Sequence, residues 1–143
     1  MRKIGWIALA VLMVAGSTFA QGQDAFQPVG TMSQLMVSMV YPAANDILLA
    51  VARGGPKTNA EWASLERSAV LLGESGNVLM MRGHALDQGD WLKQAKTIVD
   101  AGAAASKAVR AKDSAGLTAV GDQINASCTN CHRQYRKNVH PQQ

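Results

Sequence analysis

The stretch LTAVGDQINASCTNCHRQY, residues 117–135, decides the fold. Leu117, Val120, Ile124, Cys128, Cys131 and Tyr135 recur in it at intervals of three, four, four, three and four. Residues three and four apart stack on one face of an α-helix, so this spacing predicts a continuous inward-facing stripe. A strand would need apolar residues alternating by two, and that pattern does not occur in this chain. Cys128 and Cys131, the 2 cysteines of the sequence, therefore belong to the core-facing side of a helix rather than to a loop.

Three more segments upstream carry the helical period. The first is expected from about Val29 to Arg53, after Pro28 and before the stop signal Gly54-Gly55-Pro56. Pro42 lies inside it and predicts a kink, because the ring removes one backbone donor and crowds the preceding turn. Asn45 and Asp46 follow the kink and are candidates to satisfy the backbone freed there. The second segment opens at Thr58 or Asn59, with Glu61 in its first turn and Gly83 as its end. Its stripe is Trp62, Leu65, Ala69, Leu72, Gly76 and Leu79, and Gly73 and Gly76 weaken it by up to about 1 kcal/mol each relative to Ala. The third runs from Asp90 to about Lys112, with Trp91, Ala95, Ile98, Gly102, Ala105 and Val109 on one face and many small residues suited to a close neighbour. The fourth begins with Ser114 as its cap and reaches about Asn138. Connections of roughly three to eight residues make successive helices antiparallel. The expected fold is all-α, an antiparallel up-and-down four-helix bundle.

Residues 1–20 read differently. Arg2 and Lys3 precede the apolar run Ile4 to Gly16, and Thr18-Phe19-Ala20 supplies small residues for cleavage, the order of a secretory signal. About thirteen apolar residues are too few for a bilayer that needs roughly twenty. Cleavage after Ala20 leaves residues 21–143, one domain's worth of chain. No second apolar run of spanning length is expected, so the mature chain is read as soluble and exported to the periplasm. Without Arg2 and Lys3, 12 of the 14 Lys and Arg remain against 10 acidic residues, a net charge of +2. The one basic cluster, Arg133, Arg136 and Lys137, suits a last helical turn, and no nucleic-acid partner is expected.

Within this frame Cys128-Thr129-Asn130-Cys131-His132 has three readings. A dithiol oxidoreductase places its cysteine pair where a strand meets a helix start, which lowers the thiol pKa; this pair lies deep in a helix. Structural zinc needs four ligands, usually with a second matching pair, and the remaining histidines, His84 and His140, fall in an expected exposed loop and in the tail. Covalent haem uses every member of the motif: thiols at i and i+3 reach the two vinyl groups of a porphyrin, and the adjacent histidine addresses the iron.

This Cys-x-x-Cys-His near the C-terminus, on the last helix of an expected four-helix bundle, resembles the cytochrome c′ family, the class II cytochromes c. The specific matches are Gly121-Asp122, Ala126-Ser127-Cys128, Cys131-His132 and Tyr135-Arg136-Lys137. The resemblance covers the mature chain in architecture and is specific over about the last thirty residues. It implies one covalent haem c, with Cys128 and Cys131 as thioether anchors and His132 as proximal iron ligand. It also implies that the first helix covers the other haem face and that copies pair as a homodimer through the first two helices. Members of the family usually carry an arginine on the first helix near the haem propionates; here no basic residue precedes Arg53 on that segment.

The family splits by its distal residue. An apolar side chain leaves five-coordinate iron that binds NO or CO, and methionine gives six-coordinate iron suited to electron transfer. On an α-helix Met32, Met36 and Met39 fall within about 60° of arc. Methionine is often a flexible core filler, but thioether sulfur also ligates haem iron. Met36 is the expected distal ligand and Met32 the second choice. Trp62 and Trp91 are expected in the core, Tyr41 on the helix surface, and Arg136 on an exposed last turn. The function expected is single-electron transfer to redox partner proteins, with gas binding as the alternative. No acid–base pair on a shared face and no phosphate loop points to an enzyme.

Overall fold

A computed structural model describes residues 26–139, with side chains through Arg136. The expected signal segment and its cleavage site, together with His140, lie outside the described residues. The fold is all-helical, with no strand among the described residues. The four helices pack as a bundle: α1 (Met32–Ala52), α2 (Asn59–Met80), α3 (Asp90–Arg110) and α4 (Ser114–Val139).

The helix starts follow local chemistry. Thr31 caps α1 and Thr58 caps α2, each in a reciprocal capping box with Gln34 or Glu61, which satisfies two orphan donors at each start. The cap of α4 is Asp113 rather than the expected Ser114: its carboxylate accepts from the Gly116 N–H at 2.9 Å. Helix α2 ends at Met80, before Gly83, whose φ of +92° belongs to the following turn.

Where Pro42 predicts a kink, the helix carries a π-helical turn just before it. Residues Met36–Val40 form a π-helical turn, and the Tyr41 N–H donates to the Met36 carbonyl, an i→i−5 bond. Pro42 has no N–H, so the ladder is already broken at that point, and the wider turn absorbs the defect. Asp46 accepts from the Ser68 hydroxyl at 2.8 Å, tying α1 to α2.

The tightest contact joins α2 and α3. A Cβ on Gly102 would lie 2.3 Å from the Gly73 nitrogen, and one on Gly76 would lie 2.7 Å from Val99 Cγ2. The small residues expected to permit close approach do so, backbone against backbone. The α2, α3 and α4 stripes read from the sequence are buried as far as Ile124.

Two sets of contacts mark the ends of the bundle. At one end, Gly55 meets the Ser114 side chain and Lys112 donates to Asn59 at 2.8 Å. At the other, Gly83 sits against Pro28 and Tyr135 reaches Asp87. Helix α1 is held less deeply than its neighbours. Only Val40, Ala43, Ala44 and Ile47 of its residues are buried, while Val37, Tyr41 and Leu49 are exposed. It is also long and apolar enough to cross a membrane by length and composition, so the expectation of no second such run does not hold.

The α2–α3 contact predicts opposite effects for two glycines. Gly102→Ala drives a methyl into backbone and should destabilise by about 1–3 kcal/mol. Gly73→Ala meets its nearest atoms at an ordinary 3.7 Å and should stabilise by up to about 1 kcal/mol through helix propensity. Urea unfolding of the two variants checks the sign of each.

Candidate functional site

Helix α4 carries its apolar stripe to the Tyr135 end of the bundle, and burial changes along it. Leu117, Val120 and Ile124 are buried, whereas Cys128 and Cys131 are half-buried free thiols that pack against the core. Desolvation raises both thiols above their ordinary pKa, and for Cys131 the neighbouring Cys128 charge adds to it. Raised thiols are protonated at neutral pH and are poor attacking groups, the opposite of an activated dithiol. His132 follows directly, four residues beyond Cys128, and its side chain is exposed at the edge of the stripe.

Incomplete burial gathers at this end. Of the twelve half-buried hydrophobic side chains packed on the core among the described residues, eight lie here: Met32, Leu35 and Met36 on α1, Met80 on α2, Ala85 in the α2–α3 loop, Leu92 on α3, and the two cysteines. Met39 is half-buried but outside that set. The π turn holds one more residue than an α turn, so Met39 rotates away from Met36 and Val40 takes the inward position. The expected trio on one face is thus a pair, Met32 and Met36.

The thiol-bearing end of α4 is fastened to the α2–α3 loop. The Tyr135 hydroxyl donates to Asp87 Oδ2 at 2.5 Å, and Asp87 Oδ1 accepts from the Gly89 and Trp91 N–H groups at 2.8 and 3.0 Å. Asp87 thereby caps α3 as well as holding α4. The Trp91 indole donates to the Leu79 carbonyl at 2.7 Å, and its ring meets Tyr135 edge-on at 4.9 Å between centroids. Tyr135 is one helical turn beyond Cys131, so this network sets the position of the cysteine pair.

The structure distributes the remaining candidates as follows. Trp62 and Trp91 are buried, and Tyr41 is a surface tyrosine. Arg136 is exposed. His84 corrects the reading of an exposed loop residue: it is 7% exposed, because Gly83 lies against Pro28 and Ala85 packs on the core. Asp87 had no signal in the sequence beyond its place two residues before the helix-starting Gly89.

Among the described residues no group of three or more His, Cys, Asp or Glu side chains could hold a metal ion. A porphyrin makes no such demand, since it brings four nitrogens and asks the protein for axial ligands and apolar cover. Half-buried thiols, thioethers and apolar side chains collected at one end of a bundle suit that requirement. Comparison of the chain with protein-family models, curated proteins and solved structures gives no match.

The Tyr135–Asp87 bond predicts a two-sided pH dependence of stability. Burial, and then Asp87, push the Tyr135 hydroxyl from 10.0 up to about 12. A raised pKa gives stability that is whole below the unfolded value and is lost as pH rises through the folded one, here between about 10 and 12. Asp87, held below 3.8 chiefly by Tyr135, contributes above its unfolded pKa and loses that contribution as pH falls through the depressed value. Tyr135→Phe should flatten the alkaline limb of a thermal-melt series against pH; an unchanged limb would mean the bond does not form in solution.

Proposed function

We propose that the chain is a monohaem c-type cytochrome of the cytochrome c′ kind, an antiparallel up-and-down four-helix bundle that carries single electrons. In this reading residues 1–20 direct export to the periplasm and are removed after Ala20, and the mature protein works without inserting in a membrane. The observation that carries the proposal is the pair Cys128 and Cys131, half-buried on the inward stripe of α4 beside His132. They sit at the end of the bundle where the methionines of α1 are also half-buried.

Cys128 and Cys131 would hold the porphyrin through thioethers, each S–H being added across one vinyl group with no net oxidation. His132 would offer its imidazole nitrogen to the iron, and Met36, with Met32 as second choice, would offer a thioether sulfur. Bound there, haem provides a one-electron couple whose potential is raised by a methionine ligand. The Tyr135–Asp87 bond keeps α4 in register, and α1 excludes water from the distal side. No bond-making catalysis is assigned to the chain. Its partners are redox proteins, and a homodimer through α1 and α2 belongs to the same reading, since Val37, Tyr41 and Leu49 on α1 and Val70 and Leu71 on α2 are exposed.

The π turn favours a second reading. Met36 begins that turn, and a small shift there would withdraw its sulfur and leave five-coordinate iron open to NO or CO. Met36→Ala separates the two. If Met36 ligates, the wild-type reduced protein has sharp low-spin bands indifferent to CO, and the variant becomes high-spin and takes up CO. A wild type that is already high-spin and CO-reactive establishes gas binding instead.

A further inference from the structure

The cysteine end of the bundle carries apolar side chains that the core leaves uncovered. Pro28 lies against Gly83, which brings the segment before α1 onto the α2–α3 loop. Phe26 and Val29 flank Pro28 and are 61% and 99% exposed, and Leu86, just beyond Gly83, is 50% exposed. Asp87 follows Leu86 and binds Tyr135, so all three belong to the end that holds Cys128 and Cys131. Helix α1 starts beside them. Only 22% of its most apolar stretch is buried, its single charge, Asp46, is bonded to Ser68, and Val37 and Tyr41 in its first half are exposed. A helix serving only the core would not leave that much apolar surface open.

The charge around this patch is positive. Among the described residues Arg82, Lys93, Arg133 and Arg136 are exposed at this end, against Asp87, which Tyr135 engages, and Asp90, which pairs with Lys93. The Gly55 end carries Arg53, Lys107, Arg110 and Lys112 as well, so charge alone does not choose between the two ends; the protruding apolar side chains do. A protein partner would ask for a flat, closely packed apolar centre, and side chains standing out from two separate non-helical segments do not form one. Apolar side chains that protrude among cations suit a fluid anionic surface, where they enter the headgroup boundary while the cations meet phosphate. We infer that the cysteine end docks on an anionic lipid surface through Phe26, Val29 and Leu86 with Arg82 and Arg133 beside them, and that no segment spans. This docking does not depend on the haem reading; where that reading holds, it sets the cofactor end of the molecule at the membrane.

The test is cosedimentation of the secreted protein with phosphatidylcholine vesicles, with and without phosphatidylglycerol. Binding is expected to the vesicles that contain phosphatidylglycerol, should weaken as salt is raised, and should be absent with phosphatidylcholine alone. Phe26→Asp, Val29→Asp and Leu86→Asp together should weaken it by about tenfold or more, and so should Arg82→Glu with Arg133→Glu. Arg53→Glu with Lys107→Glu makes the same change of net charge at the Gly55 end and should leave binding within about twofold of wild type. All seven positions are exposed, so the helical circular dichroism of each variant should match wild type. A wild type that ignores anionic vesicles overturns the inference, as does binding that the triple Asp variant keeps or that the Gly55-end pair reduces equally. Self-association of the wild type in place of lipid binding also overturns it and assigns the apolar side chains to a second copy. Protein without attached haem refutes the haem reading and leaves each of these outcomes readable.

Discussion

The close backbone contact of α2 with α3 at Gly73 and Gly102 divides the bundle into unequal halves. Side chains cannot separate these helices, because a Cβ on Gly102 would overlap the Gly73 backbone. The pair is closely packed for that reason, and α4 lays its stripe of Leu117, Val120 and Ile124 onto the same core. Helix α1 has no equivalent contact. It meets α4 at Gly121, where a Cβ would find Val51 and Leu48 only at ordinary distances, and it leaves Met32, Leu35 and Met36 half-buried. A tight pair on one side and a shallow helix on the other concentrate unfinished packing at a single end.

The chemistry of that end is soft and apolar: two thiols, thioethers from Met32, Met36 and Met80, and the faces of Trp91 and Tyr135. Such an environment raises the thiols rather than activating them and suits a flat apolar cofactor held by thioether bonds. Pro42 also shapes the site from a distance. The π turn over Met36–Val40 leaves Met32 and Met36, and not the half-buried Met39, packed against the core, which narrows the distal candidates to two.

Much of the bundle was legible in the sequence because helical period and capping chemistry are local properties. The stripes from Trp62 to Leu79 and from Trp91 to Val109 needed only spacing, and Thr58 with Glu61 is a capping box readable from four residues. The cysteine pair was readable for the same reason, since the stripe extends through it. What escaped depends on contacts across the chain. The π turn uses residues that fit an α-helix equally well, and only the ladder broken by Pro42 selects it. The burial of His84 follows from Pro28 closing over Gly83, and the role of Asp87 follows from a tyrosine 48 residues away. The shallow seat of α1 was hidden too, because apolar residues on both of its faces look like a core helix whichever face is covered.

The most direct test of the account is the intact mass of the protein secreted by a host able to attach c-type haem, taken after denaturation in acid. The account predicts the mass of residues 21–143 plus one haem, with the haem lost from a variant in which both Cys128 and Cys131 are replaced by alanine. A wild-type mass equal to the bare polypeptide would contradict it, and would leave the thiols at that end of the bundle without the cofactor on which the functional reading depends.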